Sequence, residues 1–411
     1  MHFCFILEKR VKWMFRYELK KVFSDRVNRV MLGVAVILAI VFSCFAIGSV
    51  RYVDEEGRLH TGIMASRRLA ADRNRWGGIM NLEKFVEVVQ RRVAIAKKYG
   101  EDIPDTEWGK ELQAYNDIVQ FIVTVSRPDL EYDEGVLYQL TEKEINNLYT
   151  TYERNIQAMI AEYGQTSQQK KFLARQYRKV KMPLFYRAKD SWDTMAMYVE
   201  TYSIVLAVII GFLASGIFSE EFRAGAEAVF YSTKYGRSKA VKIKIVAGLL
   251  MTTIVYLVGV GILTLISFGI MGTSGFHTPY QIDQPYSIYS MTYGQYYLLM
   301  VVCGYIASVF AASLTMLVTA KIHTRNIAIG IPFFLYCMMP FIGRALPSFA
   351  TVFNLMPNVL LNVMQCAKAP IVFQIQNTVF RQIPMVMLIY AILSVLLLPF
   401  TCKSFCRYGC R

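Results

Sequence analysis

Long apolar runs separated by polar stretches organise the whole chain. Five runs, at 30–50, 197–218, 245–271, 296–320 and 383–401, meet or approach the roughly 20 residues a helix needs to cross about 30 Å of hydrocarbon. A sixth, 327–342, is shorter and carries Pro332 and Pro340, yet it is too apolar for a loop and is flanked by Arg325 and Arg344. The pattern predicts six transmembrane helices. In the long polar segment 51–196 helical periodicity replaces continuous hydrophobicity. Leu82, Phe85, Val88 and Val89 begin one face, ended by Gly100. Trp108, Leu112, Tyr115, Ile118 and Ile122 form a second. A third runs from Ile145 through Leu148, Tyr152, Ile156 and Ile160 to Tyr163, opened by a Thr141–Glu144 capping box and stopped at Gly164. Phe172, Leu173, Tyr177 and Val180 suggest a fourth before Pro183. Strand-type alternation is not evident, so a small helical domain is expected here.

Another face precedes the first run. Phe15, Leu19, Val22, Phe23 and Val27 share one side of a helix, with Arg16, Lys20, Lys21 and Arg26 mostly elsewhere. A basic amphipathic helix of this kind lies in the membrane interface, so Phe15, Leu19, Lys20, Lys21 and Phe23 are assigned to an interfacial elbow. The first run is too long for the apolar region of a signal peptide and is read as a retained span. Met14 offers an alternative start, which would leave Met1 to Trp13 as an upstream extension.

Composition sharpens this picture. The chain is 55% hydrophobic and 18% charged, below the about 25% usual in soluble domains. Its formal net charge of +15 would suggest nucleic acid in a soluble protein. Here the excess Lys and Arg flank the apolar runs, so they set orientation and no nucleic acid is expected. Lys9 to Arg29, Arg223 to Lys244, Lys321 with Arg325, and Lys403 to Arg411 fall on one side, while the loop 272–294 has neither Lys nor Arg. The resulting scheme is a cytoplasmic N-terminus (1–29), span 30–50, an extracytoplasmic domain (51–196), span 197–218, a cytoplasmic loop (219–244), and spans 245–271 and 296–320. A second cytoplasmic loop with Lys321, His323 and Arg325 follows, then span 327–342, an extracytoplasmic segment (343–382), span 383–401 and a cytoplasmic tail (402–411). The expected class is an all-α polytopic membrane protein with an elbow helix and a helical domain between the first two spans. A bacterial plasma membrane is the expected location, with both termini cytoplasmic. The domain could capture substrate, dock a partner, or simply cap the membrane part.

Chemistry-bearing residues are sparse. The four His are scattered, and Cys402, Cys406 and Cys410 recur every four residues at the tail, where reduced thiols are the expectation rather than a metal site. No nucleophile–base pattern and no cofactor site are evident, and no enzyme is expected. Glu200 is the exception to nearly uncharged spans, which disfavours coupling to protons or sodium. Gly304, Ser308 and Ala312, and Gly211 with Ser215, have the spacing for close helix approach, read mainly as packing within the chain.

The loop 219–244 is the most specific stretch. Glu220 and Glu221 stand where a helix would leave the membrane, Gly225 follows, and a short helix would carry Val229, Phe230 and Tyr231. Ser232, Arg237 and Lys244 come next. This spacing resembles the permeases of the type-2 ABC exporter family: Glu-x-x-x-Gly-Thr, a short apolar helix, Ser-x-Pro-x-x-Arg, and a Lys opening the next span. Ala226 stands where the family often has Thr, and Lys234 where it often has Pro. The Glu18-Leu19-Lys20-Lys21 elbow and the apolar segment 345–366, suited to re-entering the membrane, extend the likeness to the whole membrane part. The resemblance implies a dimer of permease subunits, identical or not, with separate ATPase subunits docked on the coupling helix (Glu220, Glu221, Gly225, Val229, Phe230, Tyr231, Ser232, Arg237, Lys244) and on the second loop. It implies export of a peptide, lipid or drug. The chain has no Gly-x-x-x-x-Gly-Lys-Ser/Thr stretch, so ATP and Mg would be bound by the partner. A sensor or assembly scaffold using the outer domain is the alternative.

Overall fold

The computed structural model describes residues 2–100, 102–127, 134–233 and 235–407. Lys234, Cys410 and Arg411 lie outside them, as does Met1. The chain is a mostly helical, membrane-embedded, multi-pass protein. Among the described residues five helices are long and apolar enough to cross a membrane: Arg26–Ser49, Asp190–Arg223, Lys239–Met271, Tyr293–Ile322 and Gln382–Cys406. Most exceed their hydropathy runs because polar residues at the flanks continue the same helix.

The sixth run differs from its expected form. Helix runs through residues 325–345 with a wide turn at Phe334–Met338, between Pro332 and Pro340. Neither proline can donate to the preceding turn, and the widened π turn absorbs the lost bonding. At about 1.5 Å per residue this helix reaches roughly 30 Å, longer than the apolar run alone. The chain then bends by 113° into Pro347–Phe353. Short turns follow at Pro357–Leu361 and Val363–Cys366, with Leu360, Leu361 and Val363 buried. Glu200, the acid inside the second span, accepts the backbone N–H of Met364 at 2.9 Å. It ties this returning segment to the bundle.

The second and fourth spans form the centre. Ser308 and Ala312 are fully buried, and Gly304 meets the hydroxyls of Ser203 and Tyr256. A methyl group at Gly304 would sit 2.3 Å from Tyr256 Oη and 2.6 Å from Ser203 Oγ. Gly211 likewise makes room for Pro332, at 2.3 Å from a built Cβ. The small residues thus pack within the chain. Gly304→Val is expected to lower stability by about 1–3 kcal/mol through overpacking. Gly261→Val, where nothing lies within 4 Å of the added carbon, is expected to be neutral. Thermal unfolding of the two variants in detergent checks the contrast.

The polar segment folds as a helical domain with small strands. Leu82–Tyr99, Gln113–Ser126 and Ser167–Tyr177 follow the apolar faces read from the sequence. The capping box at Thr141 forms, but the helix it opens stops at Asn146 and restarts as Leu148–Tyr163. The helix Ile63–Arg75 was not expected, because RRLAADRNR leaves only a thin apolar face. Three two-stranded antiparallel pairs also depart from the all-helical expectation: Arg51–Val53 with Leu59–Thr61, Gly78–Ile79 with Phe185–Tyr186, and Val372–Ile375 with Thr378–Arg381. Strands of two to four residues are too short to show alternation. The domain sits on the loop between the third and fourth spans. Tyr152 and Tyr177 donate to the carbonyls of Pro285 and Tyr286 at 3.0 and 2.8 Å, and Thr166 Oγ1 bonds Gln374 at 2.6 Å.

Candidate functional site

At the end of the bundle away from the polar domain, three helices are joined by buried charge. Lys244 opens the third span and is fully buried. Its ammonium donates to Glu221 at 2.7 Å, to Glu18 at 3.1 Å and to the Ile217 carbonyl at 3.1 Å. Lys21 reaches the same Glu221 oxygen at 2.6 Å. Glu18 and Lys21, one turn apart on the N-terminal helix His2–Ser24, thus meet the end of the second span and the start of the third. The four charges sum to zero, which is the condition for burying them at all. On the same helix Val22 is buried, Phe15, Leu19 and Phe23 are half-buried, and Lys20 is exposed. Asp25 ends it and caps the next helix, accepting the Asn28 N–H at 3.0 Å.

After Glu221 the second span ends at Gly225, whose φ of 62° turns the chain at a residue free of the Cβ penalty. The short helix Glu227–Ser232 follows and is clamped from behind. Tyr231 is buried and donates to the Phe405 carbonyl at 3.0 Å. Arg237 donates to the Cys406 carbonyl at 3.3 Å and lies over the Tyr231 ring, while Cys406 Sγ donates back to the Arg237 carbonyl at 2.8 Å. Phe218, Phe222, Phe230, Tyr231 and Phe405 form one aromatic cluster, on which His323 stacks against Phe222 at 4.0 Å. The first loop, the second loop and the last span therefore share one surface.

This geometry sorts the candidate residues. Glu221, Tyr231, Lys244 and Arg325 are turned inward and build the surface rather than face a partner. Phe230, Arg237 and His323 are half-buried at its edge. Gly225, Val229, Ser232 and Lys321 are outward, with Val229 69% exposed. Glu220 is held at 2.5 Å by Arg223, which also reaches Asp25 at 3.5 Å. Arg325 donates to Ser215 Oγ at 3.1 Å, Asn28 Oδ1 at 2.9 Å and the Phe212 carbonyl at 3.3 Å, and stacks on the Phe212 ring. Sequence reasoning missed Asn28, Ser215 and Phe405 as partners. Glu18 was legible as part of the Glu18-Leu19-Lys20-Lys21 elbow, but not as a partner of Lys244.

A second buried network lies at the opposite end, where the polar domain is seated. Arg73 pairs with Asp117 at 2.5 Å and Asp190 at 2.9 Å, and Lys189 with Asp283 at 2.7 Å. Tyr186 donates to Asp117 at 2.9 Å, and Tyr293 to Asp283. Burial works to raise the Asp117 carboxyl, but Arg73, Lys189 and Tyr186 outweigh it and hold the group below its ordinary value. At Asp283 burial prevails against Lys189 and pushes the carboxyl up to about 6. Among the described residues no three His, Cys, Asp or Glu gather as a metal site.

No protein-family model matches this chain. A search of curated proteins finds no match either. The two networks fix helix ends and loops in one arrangement.

Proposed function

We propose that the chain is the permease subunit of an ATP-binding cassette exporter, moving a peptide, lipid or drug outward. The observation that carries this reading is the clamped helix Glu227–Ser232. Its inner face is tied to the last span through Tyr231, while Val229 points away from the molecule. Held from behind and apolar in front, the turn offers a contact to a partner with an apolar groove. The Glu221–Lys244 pair adds weight, since those two positions also carry the sequence resemblance and here join the two spans that flank the turn.

In this reading the docked partner is a separate ATPase that binds ATP and Mg, a second permease subunit completes the pathway, and this chain holds no cofactor. The basic end, with both termini, faces the cytoplasm of a bacterial cell, and the N-terminal helix is an interfacial elbow. The polar domain is extracytoplasmic. Each ATPase state would favour one arrangement of the spans by its differential affinity for it.

Purification of the tagged chain from its native membranes tests the proposal, with an ABC ATPase subunit expected to co-purify. Val229→Asp is expected to abolish co-purification and to reduce coupled ATP hydrolysis at least tenfold, with the variant still monodisperse. Unchanged complex formation would mean that the helix is not the docking element. The second reading, a sensor or scaffold, is favoured by the tight seating of the domain on the loop 272–292. It predicts transport-independent assembly without any ATPase in the complex.

A further inference from the structure

A cavity of about 280 Å³ opens beside Arg325, lined among others by Lys21, Asp25, Asn28, Gly216 and Glu220. That is far more than the roughly 10–15 Å³ that holds one water. The charges on its wall are mostly spoken for. Asp25 and Glu220 are both engaged by Arg223, Glu18 by Lys244, and Lys21 by Glu221. Arg325 is bonded only to neutral acceptors, and among the described residues no carboxylate lies within ion-pair distance of it, although Asp25 and Glu220, which share Arg223, are near enough to act on its charge.

The donor inventory of a guanidinium then becomes decisive. It has five N–H groups in a fixed plane. The Nε–H goes to Ser215, and the two of Nη2 go to Asn28 and Phe212. Both N–H groups of Nη1 remain uncommitted, on a side chain that lines the cavity. Stacking on Phe212 and three bonds hold this cation in one orientation before any ligand arrives. Gly216 keeps the space in front of it open: a Cβ there would lie 3.7 Å from the guanidinium carbon. Gly216 is about 10 Å from the end of its helix at Arg223, by the helical rise.

We infer that this cavity binds a phosphate-bearing anion, with Arg325 Nη1 as its receptor. The ligand is a lipid phosphodiester or a free phosphate. Oriented, partly desolvated arginines suit phosphate oxygens because charge and hydrogen bond coincide. The site is independent of the exporter reading.

Purified full-length chain in neutral detergent is titrated with dioctanoyl phosphatidylglycerol, with inorganic phosphate and with dioctanoylglycerol, binding being read by native mass spectrometry and thermal shift. Saturable binding of a phosphate-bearing probe, with none of dioctanoylglycerol, is expected. Tenfold preference for the lipid over inorganic phosphate makes the lipid the source, and equal binding makes it the free anion. Arg325→Gln and Gly216→Leu are each expected to weaken binding at least tenfold. The second keeps the guanidinium and only fills the space, so it decides the matter if the first fails to fold. The inference is overturned if neither phosphate probe binds the wild type, if dioctanoylglycerol binds equally well, or if the folded variants bind as the wild type does.

Discussion

Glu221→Leu is expected to cost about 3–5 kcal/mol, the usual penalty for breaking a buried ion pair. The loss is large because two cations lose the same oxygen at once. Lys21 is partly exposed and can turn to water, but the Lys244 side chain is fully buried and keeps Glu18, the Ile217 carbonyl and the face of Phe230. The double variant Glu221→Leu with Lys244→Met is expected to recover most of the loss. It removes one charge of each sign and leaves Glu18 and Lys21 as a neutral pair on one helix. Size-exclusion profiles and apparent Tm in detergent read both outcomes. Simple additivity of the two single losses would show that the four charges do not act as a unit.

Arg73→Met should be comparably harmful at the other end. It strips the close cation from Asp117, which is buried, and from Asp190, leaving Asp117 only Tyr186 and a Lys189 at 4.0 Å. The expected loss is again about 3–5 kcal/mol, measurable by thermal unfolding. The same network predicts a pH dependence. Asp283 has a folded value of about 6 against an ordinary 3.8. Between those values the folded protein binds the proton and the unfolded chain does not. Stability contributed by this group is complete below about pH 4, falls as pH rises to about 6, and is level above. Asp283→Asn should flatten that slope and be nearly neutral at pH 7, because Arg73 and Lys189 then balance Asp117 and Asp190. A slope that survives the substitution would assign it to another group.

Much of this architecture could be read from the chain before any coordinates. Five spans follow from hydropathy because burial in lipid demands unbroken apolar runs, and the domain helices follow from caps and periodicity. The helix at residues 325–345 was legible only in its middle, since its ends are polar and its two prolines suggest interruption. The candidate surface was legible as a stretch but not as a shape. The residues of the Glu227–Ser232 turn are adjacent in sequence, so their proximity was assured, but which of them face inward depends on Phe405 and Cys406, more than 150 residues away. Arg325 marked orientation as a charge. Its inward aim depends on Asn28 and Ser215 on two other helices. The Arg73–Asp117 and Lys189–Asp283 pairs join segments whose local patterns say nothing of one another.

The helix Asp190–Arg223 begins in one buried network, through Asp190, and ends in the other, through Glu221. At about 1.5 Å per residue it is an unbroken shaft of roughly 50 Å, with no proline inside it. An α-helix resists stretching and compression along its axis, and both of its ends are bolted by charge. In the proposed exporter, axial travel imposed at the turn would be carried along this helix to the polar domain, and a load on the domain would reach the turn. A single piece of backbone joins the two charge networks.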